Sequence, residues 1–120
     1  MQKNLQQPNF LYKILTHTQW EKMKQIALDY RFGSDLDQQD GFLHLSTATQ
    51  VEQVAKKYFS HLSDGILLQI DYPSKSPLIR WEPNSKGELF PHAYQALPLS
   101  LVKNVFPFKP NAFDYNEFPY

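Results

Sequence analysis

The chain has 120 residues, no cysteine, and twelve basic residues set against twelve acidic ones. That length suits one domain, and an aromatic share of 15% argues against intrinsic disorder. Without cysteine there is no disulfide framework, thiol nucleophile or Cys-ligated metal, and a net charge of zero gives no general hold on a nucleic-acid backbone.

Residues 1–9 are polar and rich in Gln and Asn, and read as a flexible tail. They show no apolar signal core, and no apolar run approaches the ~20 residues of a membrane helix. A soluble, cytoplasmic protein is expected. Phe10 to Leu15 is apolar apart from Lys13 and predicts a strand. Thr18 followed by Glu21 has capping-box spacing and predicts a helix running to about Leu28. Residues 29–40 read as a loop.

Gly41 to Ser46 predicts a short strand, with Phe42, His44 and Ser46 on one face by period-two alternation. Thr47 and Gln50 repeat the capping-box spacing. Val51, Val54, Ala55, Tyr58 and Phe59 then follow the spacing of a core-facing helix. Ile66 to Tyr72 has almost no polar face except Gln69, as a central strand would. Leu78 to Glu82 predicts a further strand with Arg80 and Glu82 on one face and Trp81 on the other. Residues 83–87 turn the chain. Leu89 to Tyr94 is extended, and Pro91 predicts an edge position or a bulge. A last strand spans Leu101 to Phe108. The aromatics Phe113, Tyr115, Phe118 and Tyr120 are expected to pack on the body or on a partner chain, since exposed they would form a large apolar patch. Helices come early and strands run together late, which predicts an α+β fold with mixed or antiparallel sheets.

Glycine-rich phosphate loops, a GxSxG elbow and HExxH spacing are all absent from the sequence. Three polar spots remain inside apolar strands. His44 sits between leucines, just before Ser46 and Thr47 open a helix whose free N–H groups suit an anion. It reads either as a ligand-facing group or as a hydrogen-bonded core histidine. Arg80 and Glu82 can pair with each other, or Glu82 can act as a base or bind ligand hydroxyls beside Trp81. His92 and Tyr94 share a face behind Pro91, which fixes the backbone that carries the ring. His17 and His61 read as surface residues. No metal centre is expected, because no spacing among the histidines and carboxylates requires one.

Taken in order, the motifs resemble a known family. FLYKIL at 10–15, DGFLHLST at 40–47, LLQID at 67–71, RWE at 80–82, FPHAY at 90–94 and LPLSLVKNV at 97–105 resemble the domain of unknown function 952 family. The paired GF-x-H-x-S and FPH-x-Y motifs carry the likeness. Gln95 departs from the glycine expected after Tyr94. The resemblance implies one domain over residues 10–108, with 109–120 as an aromatic extension. It also implies an ADP-ribosyltransferase-like fold, two small sheets flanking a cleft that binds NAD in active members. By resemblance His44 would hold the nicotinamide-side ribose, Tyr58 or Tyr94 would stack, and Glu82 is the nearest candidate for the carboxylate that orients the nucleophile.

The expected catalytic set is therefore His44, Glu82 and His92. Ser46, Thr47, Tyr58, Arg80, Trp81 and Tyr94 are the expected ligand-binding residues, with NAD or another anionic small molecule as substrate. The alternative is a non-catalytic binding module, or an interaction role such as self-association through the aromatic tail.

Overall fold

Lys13 is the one charge in strand β1 (Phe10–Leu15), and it is buried. The reason is the sheet around it. The structure, a computed structural model, describes residues 10–72 and 76–117. Within them β1 pairs antiparallel with β3 (Gly65–Asp71), and β3 pairs antiparallel with β6 (Val102–Phe108). Helix α1 (His17–Ile26) follows β1, and the short helix α2 (Asp35–Asp40) follows a 3-10 turn at Tyr30–Phe32. The second sheet has the order β2–β5–β4, built from β2 (Leu43–His44), β5 (Leu89–Ala93) and β4 (Ile79–Pro83). Helix α3 (Val51–Tyr58) lies between β2 and β3 in the chain.

Side-chain alternation sends β1 and β3 into two cores. Leu11, Leu15, Ile66, Leu68 and Ile70 enter the larger one, while Tyr12, Ile14 and Leu67 enter the smaller one with Val51 and Ala55 of α3. A strand apolar on both faces is a covered central strand, and β3 takes that place as expected. Gln69, its polar exception, is buried and donates to Tyr12 Oη at 3.0 Å. The two sheets meet where Tyr12 and Ser46 exchange backbone hydrogen bonds of 2.7 and 2.9 Å.

Four expectations need correction. The first helix is capped by Thr16 with Gln19, two residues earlier than Thr18 with Glu21, and ends at Ile26. Residues 29–40 are not a loop. Asp29 caps the 3-10 turn, Ser34 caps α2, and Ser34 and Asp37 form a reciprocal capping box. The segment lacks a long apolar stripe because the buried member of α2 is a carboxylate, Asp37. Pro91 lies in the central strand of its sheet rather than at an edge. Its carbonyl accepts from Leu45 N at 3.0 Å just beyond the β2–β5 register, so its missing N–H falls where that ladder ends. Tyr58, expected on the core face of α3, is 48% exposed.

Phe113 and Tyr115 pack on Phe108, with ring centroids 5.0 and 6.2 Å from it. Phe118, Tyr120 and the 1–9 tail lie outside the described residues. Among those described, no helix is long and apolar enough to cross a membrane.

Candidate functional site

The β2–β5 register sets His44 directly opposite His92. Paired residues on antiparallel strands project to the same face, and here the two imidazole centroids stand 5.2 Å apart, edge to face. Phe42 packs on both rings, at 4.5 Å from His44 and 4.3 Å from His92. Its third partner is Tyr94, at 4.7 Å. Phe42, His44 and His92 line a cleft of about 580 Å³ that runs between the sheets, with α3 and the β4–β5 turn contributing walls.

Each histidine is held by a carboxylate at Nδ1. Asp37 Oδ1 lies 2.7 Å from His44 Nδ1 and also accepts the His44 backbone N–H at 3.1 Å. Asp40 Oδ2 lies 3.0 Å from His44 Nε2. Glu82 Oε1 lies 2.7 Å from His92 Nδ1 and accepts the Tyr94 hydroxyl at 2.7 Å. Both bonds fall on that one oxygen, and Oε2 has no hydrogen-bond partner among the described residues.

Behind His44 the arrangement is deeper. Asp37 is fully buried, and its Oδ2 takes Lys13 Nζ at 2.6 Å and the Ser34 N–H at 3.0 Å. Lys13 Nζ also donates to the His44 carbonyl at 3.0 Å. Burial acts to raise the Asp37 pKa, but the Lys13 charge and the bonds from His44 and Lys13 outweigh it and hold the carboxyl well below the usual carboxylate range. Burial lowers the Lys13 pKa against the pull of Asp37.

At the second histidine, burial is again the largest influence. It lowers the His92 pKa, opposed by the bond to Glu82, and the charge of nearby His44 lowers it further. Glu82 is held below its ordinary value chiefly by the His92 bond and then by Tyr94. The favoured state is thus a neutral His92 with its proton on Nδ1, an ionised Glu82, and a lone pair on His92 Nε2.

The residues expected at the site divide into two groups. His44, Ser46, Tyr58, Glu82 and His92 all line the cleft. Ser46 is buried and tied to β1 through its backbone. Thr47, Arg80, Trp81 and Tyr94 are not part of the cleft lining. The Thr47 N–H donates to Gln50 Oε1 at 3.1 Å, and its hydroxyl meets that of Thr49 at 3.2 Å. Trp81 packs against the larger core, as its alternation from Arg80 and Glu82 requires. Arg80 lies over the Tyr94 ring at 4.6 Å, so that phenol contacts both Arg80 and Phe42 while its hydroxyl donates to Glu82.

Sequence reasoning missed Asp37, Asp40 and Lys13. Two signals point to them. A lysine within a strand apolar on both faces must be buried, and a buried ammonium demands a carboxylate. Ser34 followed by Asp37 also has the spacing of a capping box. Among the described residues no group of three or more His, Asp or Glu is arranged to hold a metal ion.

A two-sheet α+β protein with paired, carboxylate-held histidines is the class that this fold and cleft define. Within it, the chain belongs to the family described as protein of unknown function DUF952, whose model matches residues 14–105. The resemblance carried by the two histidine motifs is thus correct at the level of the family.

The structure is similar to the crystal structure of protein CC0527 from Caulobacter crescentus. Identity is 32% and the TM-score 0.73, over 82% of this chain and 84% of that one. The solution NMR structure of CC0527 matches at 30% identity and a TM-score of 0.72, over 92% and 91% of the two chains. Those names state no activity. No curated protein matches the sequence.

Proposed function

We propose that the cleft binds a nucleotide of the NAD class and breaks its nicotinamide–ribose bond, in an ADP-ribosyltransferase-like reaction. The observation that carries this reading is Glu82. It is a cleft-lining carboxylate held ionised by His92 and Tyr94, with Oε2 left over. A carboxylate fixed in its charged form suits an oxocarbenium-like transition state, where positive charge develops on the sugar carbon.

In this reading the ribose C1′–N bond breaks and its electron pair leaves with nicotinamide. A hydroxyl of water or of an acceptor forms the new C1′–O bond. Its proton passes to His92 Nε2, and Glu82 balances the charge on the sugar. His44 binds the ribose from the facing strand. Tyr58, exposed at the cleft, offers the stacking surface, because Tyr94 does not line the cleft and its ring already contacts Phe42 and Arg80. Lys57 and Lys86 line the same cleft without an ion-pair partner among the described residues, and a diphosphate would neutralise them.

The test is a backbone-amide NMR titration with NAD at about millimolar concentration, followed by chromatographic measurement of released nicotinamide. Shifts centred on 41–47 and 90–94 together with nicotinamide release support the proposal. Shifts without release indicate a non-catalytic binding module. A flat titration removes NAD.

A further inference from the structure

We propose that Asp37 is a positioning residue for His44, fixing the Nδ1–H tautomer so that Nε2 is the ring nitrogen left to the cleft, and that buried Lys13 is the counterion that holds Asp37 in that place. The inference rests on the reading that His44 works in the cleft.

The geometry is that of a hub. The Asp37 carboxylate receives the His44 backbone N–H, faces the ring Nδ1, and takes Lys13 and the Ser34 N–H on its other oxygen. Ring and backbone of His44 are therefore gripped by one rigid group, which leaves the imidazole little rotational freedom. Lys13 closes the arrangement by donating to the His44 carbonyl. Helix α2 exists to present this group: Ser34 caps it and Asp37 is its buried residue.

The tautomer follows from hydrogen-bond accounting. Both ring nitrogens face carboxylates, Asp37 at Nδ1 and Asp40 at Nε2. A neutral imidazole has one N–H to give. Asp37 is buried and its contact is 2.7 Å, whereas Asp40 is one-third exposed at 3.0 Å and can turn to water. Losing a bond to the buried acceptor costs more than losing one to a solvated acceptor. The neutral ring therefore keeps its proton on Nδ1.

The charges facing His44 come from four elements. They are Asp37 and Asp40 of α2, Lys13 of β1, His92 of β5, and Glu82 of β4 behind His92. Lys13 on the opposite oxygen satisfies the buried Asp37 carboxylate, so that its first oxygen is held facing the ring.

The experiment reads the ring nitrogens of the intact protein by 15N NMR across a pH titration. In the wild type, above the midpoint, His44 is expected to show a protonated Nδ1 and an unprotonated Nε2. A dominant Nε2–H tautomer would overturn the proposal with no variant needed. Lys13→Met strands a buried carboxylate and is expected to lower the urea unfolding midpoint, and an unchanged unfolding midpoint counts against the counterion role. Asp37→Asn is expected to mix the tautomers. Because that variant strands a buried ammonium, it is paired with the Lys13→Met/Asp37→Asn double variant, which should mix the tautomers in a folded protein. Tautomers that stay as in the wild type in either variant would remove Asp37 from the role. A protein that fails to cleave NAD but shows the Nδ1–H tautomer defeats the functional reading alone. One that cleaves NAD with an Nε2–H tautomer defeats this inference alone.

Discussion

His44 and His92 are register partners across the β2–β5 ladder, and their rings meet edge to face at 5.2 Å. The pairing joins two sequence motifs that lie nearly fifty residues apart, roughly the separation a βαβ-sized insertion spans. It makes them one site, with each imidazole backed by a carboxylate from a different element.

This pairing predicts matched losses. His44→Ala and His92→Ala should each lower nicotinamide release by about 10²- to 10⁴-fold, with the far-ultraviolet circular dichroism unchanged. The double variant should lose little more than the worse single one, since groups acting as a unit are not additive. Single variants that keep full turnover would take the histidines out of the chemistry.

Acid should destabilise the protein in two stages. The His92 pKa is lowered on folding, mainly by burial, so the folded state takes up its proton later than the unfolded chain. Stability then falls as pH drops below the unfolded histidine value, near 6.5. Asp37 and Glu82 are also held below their ordinary values. Their contribution is complete above about pH 4 and is lost as pH falls further. Urea unfolding midpoints measured from pH 8 to pH 2 should show both stages, and His92→Phe should remove the first.

Gly33 provides a test of the Asp37 hub from outside the cleft. A methyl group placed there would collide with the Asp37 carboxylate, which cannot move aside without disturbing its pair with Lys13. Gly33→Ala should lower stability by about 2 kcal/mol or more and should move the His44 ring signals. Gly41→Ala is the control. Gly41 adopts a left-handed φ of 80° as the cap of α2 with open space around it, so only backbone strain is added. That variant should lose about 1 kcal/mol, with the ring signals held.

Phe42 wedges between both histidines and Tyr94. Because it is only half-buried, Phe42→Ala should cost about 2 kcal/mol, below the range for fully buried phenylalanine. The larger effect should be on kcat rather than KM, because the histidines lose their common support. Thermal unfolding and steady-state kinetics separate the two.

The C-terminal aromatics give the last prediction. Phe113 and Tyr115 cover Phe108 at the edge of the smaller core. Truncation after Pro110 should lower the unfolding free energy by roughly 2–3 kcal/mol and leave nicotinamide release intact at low temperature. A change in sedimentation at equal stability would instead show that the tail holds copies of the chain together.

Most of the fold was legible because it is written in local patterns. The β1 and β3 spans, the core stripe of α3 apart from Tyr58, and the strand–turn–strand of β4 and β5 all follow from period and turn residues. The shared face of Phe42, His44 and Ser46 follows from alternation alone. Pro91 misled because a proline penalty depends on whether a neighbour needs the missing N–H, and β2 ends after His44. Residues 29–40 misled because α2 is held by caps and by one buried carboxylate, with too short a span for an apolar period to show.

Residue order alone dictates that the chain forms an α+β domain, that it carries two histidine motifs on strands, and that Lys13 breaks an otherwise apolar strand. These are consequences of side-chain size, polarity and spacing along a few neighbouring residues. The meeting of His44 with His92 and the burial of Asp37 against Lys13 are of another kind. They depend on which strands pair and in what register, and register is settled by the sum of two cores closing at once rather than by any one segment. Lys13 in an apolar strand signals that a buried carboxylate must meet it, but which carboxylate does so is decided only when α2 is brought against β1.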